Sequence, residues 1–139
     1  MDGKKEFERI LDEVDTVALA SSVDNIPNVR FVNFIYLKNE NKFYFQSDKD
    51  APKGKEFDKN GNVAFITMET KNGAHVRVQL AKVRISEKTI FDVKEKFIEK
   101  MAFYKSLIEK HGSTMNLYEI QFTTAIVHPD VNSTLEIEF

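Results

Sequence analysis

Residues 43–66, "FYFQSDKDAPKGKEFDKNGNVAFI", join two aromatic, strand-like runs through a polar loop. The first run, "KFYFQS" from residue 42, ends on Ser47, and the second opens at Asn62 as "NVAFITME". Between them lie Lys49, Lys53, Lys55 and Lys59, with a short helix expected over residues 53–60 and Gly61 suited to end it. Ser47, at a strand end, would present its hydroxyl from a rigid edge. Lys53 falls at a helix start, where free backbone N–H groups and the helix dipole favour a negative ligand. An ammonium there adds a point charge suited to phosphate. Arg30, on the preceding strand, adds a bidentate donor if it reaches the same edge. Lys49, Lys55 and Lys59 read as solvated charge; for Lys53 the spacing leaves both readings open.

The flanking chain carries strand periodicity almost throughout. Before the loop, Phe7, Ile10, Leu11 and Val14 form one face of an amphipathic helix. "TVALASS" (16–22) follows as a strand, "VDNIPN" (23–28) as a turn, and "VRFVNFIYL" (29–37) as a strand apolar on both faces. One of those faces fills a core; the other meets a helix, a subunit or a ligand. Past the loop, "KNGA" (71–74) holds the Asn-Gly pair typical of hairpins. In "HVRVQLAKVRI" (75–85), Val76, Val78 and Leu80 share one face and Val83 and Ile85 the other, so a bulge is expected around Ala81 and Lys82. Asp92 and Glu95 have capping-box spacing before one long late helix striped by Phe97, Met101, Tyr104 and Ile108, with Gly112 past its end. "LYEIQFTTAIV" (117–127) and "TLEIEF" (134–139) close the chain as strands. About six to seven strands joined mostly by short turns predict antiparallel pairing into a barrel or sandwich: a mainly β fold with an N-terminal helix and a late helix.

Composition narrows the function classes. The 139 residues read as one domain, 1–139, and 42% apolar with 30% charged residues is ordinary for a globular protein. A net charge of −2 argues against a general nucleic-acid binder. With no cysteine, disulfides, thiolate catalysis and cysteine-held metals are excluded. The charged start "MDGKKEFERILDEVD" does not resemble a signal peptide, and no apolar run approaches a membrane span, so a cytoplasmic protein is expected. Twelve Phe and four Tyr without Trp suit a small barrel core and equally a flat, ring-shaped ligand. His75, His111 and His128 show no metal-ligand spacing, and no metal site is expected. No nucleophile elbow, Walker or dinucleotide fingerprint appears, so any chemistry would come from a bound cofactor.

In order and spacing, Arg30, Ser47, Lys53 and "NGNVAF", within residues 5–86, resemble the pyridoxamine 5'-phosphate oxidase-like, FMN-binding split-barrel proteins. The resemblance implies a split barrel that binds FMN between the subunits of a homodimer. It implies that Arg30, Phe31, Val32 and Asn33 lie along the flavin, that Gln46 and Ser47 are second-strand contacts, and that Lys53 holds the phosphate. Three positions depart from the family pattern: Pro52 stands beside Lys53 where many members have Arg, Gly61 replaces a usual Pro, and Leu80 or Ala81 stands where Gly is frequent. The chain ends "VNSTLEIEF" with no Arg after Arg84, unlike the true oxidase, and sits closer to the general-stress and nitroimidazole-resistance branches.

The function expected from this is a small FMN-dependent oxidoreductase acting on a planar organic substrate. No residue stands out as catalytic; Tyr36, His75 and Tyr104 are weak proton-donor candidates. The alternative is a non-catalytic binder of flavin, deazaflavin or haem (the last through one His), serving as a carrier or stress sensor. A third reading, an OB-like nucleic-acid barrel stacking bases on "FVNFIY" and "KFYF", is disfavoured by the acidic balance. No nucleic acid and no membrane are expected as partners.

Overall fold

The computed structural model describes residues 2–139. Helix α1 (Gly3–Glu13) starts at Asp2, whose carboxylate accepts the backbone N–H groups of Lys4 and Lys5 at 3.0 and 3.3 Å. It buries Phe7, Ile10 and Leu11, the face the periodicity predicts. Strands β1 (Thr16–Val23), β2 (Ile26–Asn33), β3 (Ile35–Leu37) and β4 (Lys42–Asp48) follow, then helix α2 (Pro52–Lys59). Strands β5 (Asn62–Thr67) and β6 (His75–Ile85) lead to helices α3 (Lys94–Lys100) and α4 (Tyr104–His111), and β7 (Met115–Phe122), β8 (Thr124–His128) and β9 (Leu135–Glu138) complete the chain. Among the described residues no helix is long and apolar enough to cross a membrane.

The strands form one antiparallel sheet in the order β2-β1-β5-β6-β7-β4-β3, with β8 on the far end of β6 and β9 on β8. The expected strand 29–37 is bent at Phe34. Its first part, β2, pairs with β1, and its second, β3, pairs with β4 at the opposite edge of the sheet. That one bend curls the sheet into a barrel and leaves β2 and β4 side by side with no ladder between them. The split barrel expected from the resemblance is therefore observed. Nine strands replace the expected six to seven because the chain also breaks at Thr123, where β7 and β8 take different stretches of β6.

Local expectations hold with shifts of a residue or two. The first hairpin turns on Asp24 and Asn25, both at positive φ (53° and 64°), as a two-residue turn requires. Pro27, expected inside that turn, lies on edge strand β2, where its missing N–H does no harm. Gly73, at φ 78°, turns the Asn-Gly hairpin. The bulge in β6 is present but earlier than expected. Phe65 faces Val78 while Val63 faces Ala81, so the extra residue falls at Gln79–Leu80. Val76, Val78, Ala81 and Val83 consequently point inward, and Leu80, read as sharing the face of Val76 and Val78, is 77% exposed.

Two apolar layers result. Inside the barrel the rings of Phe34 and Phe43 stack at 4.7 Å, with Phe65 and Phe122 packed around Phe43 at 4.7 and 5.5 Å. Phe7 of α1 closes this core against Tyr36, Phe122 and Phe139. Outside, Ile35, Tyr44, Met115 and Leu117 pack against Phe97, Met101, Tyr104 and Ile108. The late helical stripe is thus buried as read, but the helix is not continuous. Met101 is extended (φ −140°), so two short helices follow the curved wall where one straight rod would leave it. The capping pair also moves: Asp92 accepts the N–H of Thr89 at 2.8 Å rather than capping with Glu95.

Lys100 ties this outer layer to α1. Its Nζ donates to the Leu11 carbonyl at 2.8 Å and lies 4.1 Å from the centroid of Phe34. The carbonyl belongs to the last turn of a helix that has no basic residue of its own there.

Phe43→Ala removes the ring at the centre of the core and should cost about 3–5 kcal/mol in urea unfolding, whereas Leu80→Ala should change stability by less than about 0.5 kcal/mol. A core-sized loss at Leu80 would contradict the placement of the bulge. Burial also pushes the Lys100 amine down to about 8, while the unfolded chain keeps that proton to near 10.5. The unfolded state then binds more protons between these values, so stability should rise as pH rises through that window. Above pH 10 the buried phenols, Tyr36 pushed up to about 12 among them, oppose the trend by keeping protons the unfolded chain releases. Lys100→Met should flatten the rise between pH 8 and 10 in urea titrations, and an unchanged slope would contradict the assignment.

Candidate functional site

The open seam between β2 and β4 collects the residues singled out in the sequence. Alternation on β2 sends Arg30 and Val32 to the barrel side, opposite Leu19 and Val17, and Phe31 and Asn33 to the outer side, opposite Ala18 and Thr16. On the other lip Ser47 shares the barrel side with Phe43 and Phe45, while Gln46 shares the outer side with Tyr44. Helix α2 crosses the end of the seam and brings Lys53.

Four features at this end bear on anion binding. Helix α2 begins with Pro52, its N-cap is Ala51 with no side-chain acceptor, and its first turn holds no acidic residue. Its N-terminal dipole therefore lacks the usual negative partner. Burial pushes the Lys53 amine below its ordinary value, and the positive charge of Arg30 pushes it further, with Asp48 pulling the other way. A cation beside a cation in a half-buried place is stabilised by an added anion. Ser47 is buried with its hydroxyl on a 3.4 Å contact to the Asp48 carbonyl, at the outer limit of a hydrogen bond. The Ser21 hydroxyl, on the Arg30 side of β1, is buried and has no partner among the described residues.

Arg30 is committed within the chain. Nη1 donates to the Leu19 carbonyl at 3.1 Å, Nη2 to Glu56 Oε2 at 3.0 Å, and the guanidinium carbon lies 5.5 Å from the centroid of Phe57. Gln46, Ser47 and Lys53 line a cleft of about 660 Å³ together with Leu107 and His111. Phe31, Val32 and Asn33 line another, of about 420 Å³, with Thr16 and Met68. Within one chain the seven residues thus divide between two clefts and the Arg30 ion pair.

Tyr104 reaches the β2 lip from α4. Its buried phenol donates to Asn33 Oδ1 at 3.4 Å, and Gln46 of the other lip is near enough to lower its pKa. Burial raises that pKa and outweighs Gln46. Periodicity identifies Tyr104 as a helix-stripe residue and a weak donor; only the fold shows it reaching the β2 lip. The other two weak donors lie elsewhere. Tyr36 donates to Asn41 Oδ1 at 2.8 Å, and His75 stacks on His128 with ring centroids 4.4 Å apart on β6 and β8.

Comparison with known proteins agrees with this architecture. Residues 10–134 match the sequence profile of the pyridoxamine 5'-phosphate oxidase-like family. The chain belongs to that family. General Stress Protein 26 from Bacillus anthracis superposes with a TM-score of 0.71 at 16% identity, over 99% of this chain and 100% of that one. A FAD-binding protein from Mesorhizobium loti gives 0.65 at 13% identity, over 90% and 92%. A heme binding protein from Mycobacterium smegmatis gives 0.75 at 12% identity, over 99% of this chain but 58% of that longer one. At these identities the likeness establishes the fold alone. No curated protein sequence matches the chain.

Proposed function

We propose that this protein binds FMN as a homodimer and acts as a small oxidoreductase on a planar organic substrate. The observation that carries this reading is Lys53: a half-buried ammonium beside a second cation, at an uncapped helix start, next to a buried and poorly bonded serine hydroxyl. That donor set suits a phosphate. Lys53 and Ser47 would hold it at the start of α2, where Pro52 has no N–H and the Gly54 N–H is taken by the Ala51 carbonyl at 3.2 Å, with Arg30 adding positive field. The strand Arg30–Asn33 and Gln46 would run along the ring, and Tyr104 would fix the spacing between the lips. FMN supplies the electron chemistry when bound; the chain's contribution is to orient the ring and exclude water from it.

A second copy is supported by the outer face of the sheet. Val29, Ala20 and Ala64 form one cross-strand row, and Phe31, Ala18 and Ile66 the next. Phe31 is 68% and Val29 63% exposed, so a monomer leaves an apolar face in water. A second copy covering that face would also enclose the cleft at Phe31 and Asn33.

One observation favours a non-catalytic alternative, a flavin or haem carrier: Tyr104, the phenol at the seam, has its hydroxyl engaged by Asn33. A Soret band lost on His75→Ala, His111→Ala or His128→Ala would mark haem. Flavin reduced but never reoxidised by candidate acceptors would mark a carrier.

The purified protein should take up one FMN per chain, followed by visible absorbance and quenching of flavin fluorescence. Lys53→Ala should weaken FMN at least about tenfold while changing riboflavin, which lacks the phosphate, little. No uptake of FMN overturns the flavin reading, and full FMN affinity in Lys53→Ala overturns the phosphate assignment. In sedimentation velocity the wild type should run as a dimer and Phe31→Glu as a monomer; a wild-type monomer would contradict the shared site.

A further inference from the structure

Glu56 is the unexpected member of the charge cluster at the end of the seam. It stands three residues after Lys53 on α2, so the candidate phosphate ligand and a carboxylate share one side of the helix. Its Oε2 takes the Arg30 guanidinium at 3.0 Å, and Asn28 Nδ2 steadies Oε1 at 3.3 Å. The two side chains of the ion pair are only 17% and 24% exposed, which shields it from the screening that weakens surface pairs. Arg30, whose positive charge is felt at Lys53, is thus neutralised from inside the chain.

We infer that Glu56 is an internal counter-ion that competes with a ligand's phosphate for the charge of Arg30, and so keeps the site's hold on that ligand weak and exchangeable. The inference rests on the anion site proposed at Lys53. Arg30 and Lys53 balance Glu56 and Asp48 charge for charge, so an arriving phosphate dianion brings uncompensated negative charge. Because Glu56 offsets the charge of Arg30, the field that would hold the dianion at Lys53 is weakened. Pro52, beside Lys53, adds no cation of its own that could relieve this competition. Uncharged ligands that lack a phosphate are indifferent to Glu56, so the residue tunes affinity for the phosphate end alone.

Glu56→Gln keeps the shape and a hydrogen-bonding oxygen for Arg30 while removing the charge. Dissociation constants for FMN and riboflavin should be measured at low salt for the wild type, Glu56→Gln and Glu95→Gln, the last an exposed residue on α3 with the same change in net charge. Glu56→Gln should bind FMN about tenfold tighter, with riboflavin unchanged and Glu95→Gln like the wild type. FMN binding unchanged or weaker in Glu56→Gln, or an equal gain for riboflavin or in Glu95→Gln, overturns the inference. If the wild type takes up no FMN, the flavin reading falls and inorganic phosphate decides this one separately. A larger phosphate-induced rise in Tm for Glu56→Gln than for the wild type supports the counter-ion, and an equal rise or none overturns it.

Discussion

The structure depends on one bend at Phe34. The residue is fully buried, its N–H is taken by the Asp15 carbonyl at 3.1 Å, and its ring stacks on Phe43. Because the chain turns there, a single extended stretch belongs to both edges of the sheet, pairing with β1 before the bend and with β4 after it. The barrel closes through covalent continuity and aromatic packing rather than through a full ladder of hydrogen bonds. The stretch of edge left unpaired, between β2 and the end of β4, is the seam where the candidate site lies. Exposed strand edges invite association, and here the edge carries an apolar outer face as well.

The electrostatics follow from the same geometry. The positive charge of Arg30 on β2 is felt at Lys53 on α2, and two such cations in a half-buried place call for anions. The chain supplies Glu56 for one and the more remote Asp48 for the other. A cluster balanced within itself yet holding an uncapped helix start suits a ligand that comes and goes. It contrasts with the Glu119 carboxylate on β7, buried between Lys42 and Arg84, where the anion is fully paired inside the chain and the role is structural.

Much of the fold is legible in the amino-acid sequence. The face of α1, the Asn-Gly hairpin, the existence of a bulge in β6 and the buried stripe of the late helices all follow from local periodicity. The features that are not legible share a physical cause. "VRFVNFIYL" is strand-forming at every position, so nothing local marks the bend at Phe34, which exists because Phe43 and Asp15 hold it from elsewhere in the chain. Leu80 reads as sharing the face of Val76 and Val78 until the partner strand shows which residue is the extra one. The break at Met101 reflects the curvature of a wall that the helix sequence does not contain. At the site, Arg30, Ser47 and Lys53 can be found from order and spacing through the family pattern. Glu56 cannot, and Tyr104 reads only as a weak donor, since a glutamate on a polar helix and a tyrosine in an apolar stripe gain their meaning from what lies across the seam.

A crystal structure of the protein grown with FMN tests most directly whether the seam holds a flavin between two copies of the chain, with its phosphate end at Lys53. It should show the phosphate within hydrogen-bond reach of Lys53 and Ser47, and the ring lying along residues 30–33 under a second copy. A flavin lying away from the seam, or one wholly enclosed by a single copy, would contradict that arrangement.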